Sequence, residues 1–148
     1  MRFPRIALFL FALTMLIVLP AACSSGAPAS LGDVPVFAGA EPADASANYI
    51  TDAMVTSIEQ SIAKQNLASE VSLYRLPEGT QWDAVKQFYT TEINDGWEPV
   101  PELTQEAGVI NIIGWQRGSG ASEQILIAGQ AEDPTSGETF LLLGLFSE

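Results

Sequence analysis

The chain has 148 residues with 18 acidic and 6 basic side chains, no histidine and one cysteine, for a formal net charge of −12. The missing histidine excludes the histidine triads, the zinc sites of Cys and His type and the imidazole general base. The acidity, with Lys64, Arg75, Lys86 and Arg117 widely scattered, excludes nucleic acid as a partner, because phosphate binding rests on clustered cations that displace counterions.

Arg2 and Arg5 precede an apolar run from Ile6 to Leu19 that only Thr14 interrupts, and small residues follow at Ala21 and Ala22. Residues 1–22 therefore read as a secretory signal peptide. The run is shorter than the roughly 20 apolar residues that a membrane span needs, and Pro20 ends it. The only cysteine, Cys23, stands directly after this segment, and Ala21-Ala22-Cys23 resembles the site at which a bacterial lipoprotein is cleaved and acylated. Pro20 departs from that pattern, which usually carries leucine there. Lipidation of Cys23, by chains such as palmitate, makes a bacterial membrane, inner or outer, the partner of the chain. The rival site is Ala27-Pro28-Ala29, whose small-x-small form allows ordinary cleavage after Ala29 and a secreted chain without cysteine. Either way no intrachain disulfide exists, and the fold depends on its core. Loss of residues 1–22 leaves four basic against eighteen acidic residues, a charge of −14, which reads as a solvated, self-repelling surface.

Residues 23–32 carry no periodic apolar face and read as a lipid-anchored flexible tether, followed by one domain over residues 33–148. Val34-Pro35-Val36-Phe37 is expected to be a short extended segment, with Gly39 turning the chain. From Ala47 to about Gln65, Ile50, Met54, Ile58 and Ile62 recur every fourth position, the core stripe of an amphipathic helix. Glu70 to Leu76 alternates as a strand does and stops at Pro77-Glu78-Gly79. Thr80 is the expected N-cap of a second helix, its hydroxyl accepting from the Asp83 amide; Trp82, Val85, Phe88, Tyr89 and Ile93 form the core face and Gly96 closes the end. Pro99 and Pro101 forbid a helix beyond Trp97. Val109 to Trp115, Glu123 to Gln130 and Thr139 to Phe146 read as three strands joined by short turns, hence an antiparallel meander. The class is α+β, with an antiparallel sheet of about four or five strands and two helices packed on one face. Leu141-Leu142-Leu143 places the last strand centrally or covers it on both faces.

No catalytic constellation is legible, no cofactor or metal site is expected, and no site residue is assigned apart from Cys23. Asp133-Pro134-Thr135-Ser136-Gly137-Glu138 lacks the alternating acids of a calcium loop and reads as a hairpin turn. Gly118-Ser119-Gly120 lacks the lysine and the helix of a phosphate loop. Acid pairs such as Asp83 with Glu78, or Asp95 with Glu98, meet the residue types of a glycosidase dyad only as chance neighbours among eighteen acids. Trp82, Tyr89, Trp97 and Trp115 read as core rather than as a ligand platform.

Val36-Phe37-Ala38-Gly39-Ala40, then Leu76-Pro77-Glu78-Gly79-Thr80-Gln81-Trp82-Asp83-Ala84-Val85-Lys86-Gln87-Phe88-Tyr89, then Gly96-Trp97 resemble the motifs of a group of small bacterial exported lipoproteins to which no activity is attached. The motifs are caps, turns and core aromatics, and Phe-Ala-Gly-Ala stands where the opening usually reads Tyr-Pro-Gly-Ala. The expected function is a non-enzymatic binding or interaction module, held by Cys23 on the extracytoplasmic side of the cell envelope. The alternatives are a secreted carrier of an apolar ligand, which needs an internal cavity, and a carboxylate-based hydrolase, which needs two buried acids of raised pKa.

Overall fold

Alternating apolar residues over the second half of the chain build an antiparallel sheet, and two amphipathic helices cover it. The computed structural model describes residues 29–148 apart from 45, 47–48, 64–66, 95 and 108–109. In chain order the elements are β1 (Glu41–Pro42), α1 (Tyr49–Ala63), β2 (Ala68–Arg75), α2 (Trp82–Glu92), β3 (Glu98–Pro99), β4 (Gln105–Ala107), β5 (Ile110–Arg117), β6 (Gln124–Glu132) and β7 (Thr139–Ser147). The sheet order is β1-β2-β7-β6-β5-β3, with β4 also on β5, and every pairing is antiparallel. The class is α+β, as the order of elements in the sequence implies.

β5, β6 and β7 form the expected meander. At the first connection Gly118 has φ +77°, and a Cβ there would lie 2.3 Å from the Ser122 carbonyl oxygen, so glycine alone fits. At the second, the Asp133 amide donates to the Glu138 carbonyl at 2.8 Å and the Asp133 carboxylate accepts from the Thr135 amide at 2.8 Å. This is the hairpin expected from the sequence.

β7 lies between β2 and β6, and alternation sends Leu141, Leu143 and Leu145 to one face, Phe140, Leu142 and Phe146 to the other; all six are buried. On the first face α2 packs Val85 and Tyr89 among Leu126, Ala128, Leu141 and Leu143. On the second, Ile50, Met54, Val55 and Ile58 of α1 pack around Leu73, Phe140 and Leu142. The Ile62 side chain lies outside the described residues. The two helices are therefore on opposite faces, which corrects the expectation of one shared face. Its physical reason is the Leu141-Leu142-Leu143 run itself: each buried side chain is worth about 1.5–3 kcal/mol, so neither row can be left to water. Among the described residues the strand count is seven rather than about four or five. The additional strands β1, β3 and β4 have only two or three residues, too few for alternation to show, and β1 and β3 are both the dipeptide Glu-Pro.

Three local expectations change. Val34 to Phe37 is not a strand; Leu31–Asp33 forms a 3-10 turn before it, capped by the Ser30 hydroxyl accepting from the Gly32 amide at 3.1 Å, and Pro35 cannot donate to a ladder. Thr80 is not the N-cap of α2. Gly79, at φ +77°, turns the chain so that the Thr80 hydroxyl donates to the Pro77 carbonyl at 2.6 Å, which leaves Gln81 at the cap without a side-chain bond. Gly96 has the expected positive φ of +76°, but α2 closes earlier, where the Ile93 amide donates to the Tyr89 carbonyl.

Candidate functional site

The first described residues are tied to one end of the sheet by a strand side chain. Gln124 shares the face of Leu126 and Ala128, and the residue is only 4% exposed. Its Oε1 accepts from the Ala29 amide at 2.9 Å and its Nε2 donates to the Ala29 carbonyl at 2.9 Å, so one side chain copies a two-bond backbone pairing. One residue on, the Ser30 amide donates to the Asp33 carboxylate at 3.0 Å, and the Leu31 amide donates to Glu70 Oε2 at 3.0 Å. Leu31 and Val34 then enter the core beneath α2. Residues 29–32, read from the sequence as the end of a tether, are thus packed on the domain.

This end of the sheet is defined by the register Gln124↔Ser147↔Ala68, with Arg117 opposite Gln124 on β5. The hairpin Asp133–Glu138 lies at the other end, eight residue steps along β6, a separation of about 27 Å. Cys23, the lipidation residue expected from the sequence, lies outside the described residues, separated from Ala29 by residues 24–28. Residues 1–22, expected from the sequence as a signal peptide, and most of the expected tether over residues 23–32 also lie there.

Replacing Gln124 with leucine keeps the volume and removes both partners of a half-buried backbone. The expected cost is about 1–3 kcal/mol, measured by urea unfolding, with faster proteolysis before Val34. Unchanged stability and cleavage would show that the pairing holds nothing.

Among the described residues no carboxylate is buried. Every described carboxylate side chain is exposed except those of Glu123 and Asp133, which are half-exposed. Glu106 accepts from Lys86 Nζ and from Trp82 Nε1, the latter at 3.3 Å, and these two donors, Lys86 first, hold its carboxyl below the usual range. Asp133 is held low mainly by the Thr135 amide. Both shifts favour the charged form, the opposite of what a general acid at neutral pH requires. Asp95 lies outside the described residues. Among the described residues no three His, Cys, Asp or Glu side chains gather where they could hold a metal.

The aromatics divide between core and surface. Trp115 and Tyr89 are buried, Trp82 is half-buried with its ring nitrogen on Glu106, and half-buried Trp97 lies under the Arg117 guanidinium at 5.5 Å from the ring centre. Among the described residues the buried polar atoms Tyr89 Oη and Gln130 Oε1 have no hydrogen-bond partner; Gln130 Nε2 donates to the Thr80 carbonyl at 3.0 Å.

Gln124 is the residue that the sequence did not single out. A polar side chain in phase with Leu126 and Ala128 was the available signal, since an inward amide must find a partner. That partner lies 95 residues away. No family model, curated protein or solved structure matches the chain.

Proposed function

We propose that this is an exported bacterial lipoprotein, anchored through lipid on Cys23, whose α+β domain serves as a non-enzymatic binding or interaction module on the extracytoplasmic side of the membrane. Arg2, Arg5, the apolar run and Ala21-Ala22-Cys23 are the sequence basis. The observation that carries it further is the pairing of Ala29 with Gln124. Cleavage after Ala29 would remove both hydrogen-bond partners of the Gln124 amide. Cleavage before Cys23 keeps the pairing intact. The non-enzymatic reading is supported by acids that are exposed or half-exposed, and by the absence of histidine from the whole chain.

Expression of the full chain in a bacterial host with an alkyne-tagged palmitate tests the anchor. Mass spectrometry is expected to find a diacylated Cys23 as the mature N-terminus, and Cys23→Ala is expected to lose the tag and leave the membrane fraction. An untagged mature chain beginning at Ser30 overturns the proposal.

A further inference from the structure

We infer that the sheet end carrying Gln124, Ser147 and Ala68 faces the bilayer and that the Asp133–Glu138 hairpin points away from it; this rests on the anchor at Cys23. Six residue steps separate Cys23 from Ala29. At a maximum of about 3.3–3.6 Å each they span about 20–22 Å. The chain cannot pay out further, because Ala29 is held by two hydrogen bonds to Gln124, Leu31 by Glu70, and Leu31 and Val34 are buried.

The comparison of lengths decides the pose. Along β6 the sheet is about 27 Å long. To stand inverted, with the hairpin on the lipid, the domain must lift Ala29 at least that far from the surface, beyond the reach of residues 24–28. Had the tether run free to Gly32, nine steps would span about 30–32 Å, and the inverted pose would be open. The side-lying pose brings Glu132, Asp133 and Glu138 onto the surface of an anionic leaflet, where like charges repel within a Debye length of about 8 Å. The same repulsion at the Gln124 end is opposed by the covalent tether, whereas nothing holds the hairpin down. What the fold presents outward is then the hairpin and the Pro77–Thr80 turn beside it, joined by the Leu76 amide donating to the Thr139 carbonyl at 2.8 Å and by the Arg75–Glu138 ion pair at 3.1 Å.

The test uses the full lipidated chain, with Cys23 acylated, so that an introduced thiol is the only one available. Ala121→Cys, in the exposed turn beside Gln124, and Thr135→Cys, in the hairpin, each receive an environment-insensitive fluorophore. Both are reconstituted into vesicles of phosphatidylcholine and phosphatidylglycerol carrying a nitroxide headgroup quencher. Floated vesicles are expected to quench position 121 several-fold more than position 135. Equal or reversed quenching in floated protein overturns the orientation and leaves the anchor standing. Failure of the lipid-bearing chain to float overturns both.

Discussion

Phe140→Ala is expected to lower the unfolding free energy by about 3–5 kcal/mol, the range for a large aromatic deleted from a core that cannot collapse around the gap. Phe140 is fully buried on the α1 face, with Ala131 as its β6 neighbour and Arg75 as its β2 neighbour. Alanine has no side chain to swing into the space, and the ladder on both sides holds the backbone in place. Because a domain of this size is stable by about 5–15 kcal/mol in total, one substitution takes a large share. The loss has an address. Ile50, Met54, Val55 and Ile58 lose the ring that they pack around, so α1 amides are expected to exchange faster by more than the global loss requires. Urea unfolding and hydrogen exchange read the two effects, and a cost below about 1 kcal/mol would contradict the α1 layer.

On the opposite face Tyr89 makes a second pair of variants informative. Tyr89→Ala is expected to cost about 3–5 kcal/mol, since the ring is fully buried and meets Phe88 edge to face at 5.0 Å. Tyr89→Phe removes only a hydroxyl that has no hydrogen-bond partner, so stability is expected to hold or rise by about 1 kcal/mol. The pH dependence gives the sign independently. Burial pushes the Tyr89 phenol well above its ordinary range, and the Phe37 backbone pulls it only partly back, without reaching hydrogen-bond geometry. The folded chain therefore keeps this proton where the unfolded chain, with a phenol near pKa 10, has released it. Stability is complete below about pH 10 and falls above it, by up to about 1.4 kcal/mol per pH unit. Urea titrations at pH 9 and pH 11 are expected to show the gap between Tyr89→Phe and the parent widening at the higher pH. A constant gap would place the phenol in contact with water.

The elements with long repeats were legible. Val109 to Trp115, Glu123 to Gln130 and Thr139 to Phe146 became β5, β6 and β7 with bounds moved by two residues at most, because β-branched and leucine-rich runs between turns leave little choice. Ile50, Met54 and Ile58 mark the covered side of α1 for the same reason. What escaped was relational. The Leu141-Leu142-Leu143 run implied cover on both faces, and two helices were at hand to supply it, yet local periodicity does not say to which face a helix crosses. Thr80 has the right side chain for a cap, but the Gly79 turn gives its hydroxyl a nearer acceptor. At the candidate site Gln124 was not legible, since its meaning depends on Ala29, 95 residues away.

The Glu-Pro dipeptides that end the main path of the sheet on both sides have a consequence for crowding. A proline nitrogen carries no hydrogen with which to recruit a further strand, and a carboxylate beside it repels its counterpart on an identical neighbour. Strands this short also offer little length on which a foreign ladder could start. At these two margins a strand from a neighbouring copy therefore meets a missing donor and a like charge rather than an open ladder.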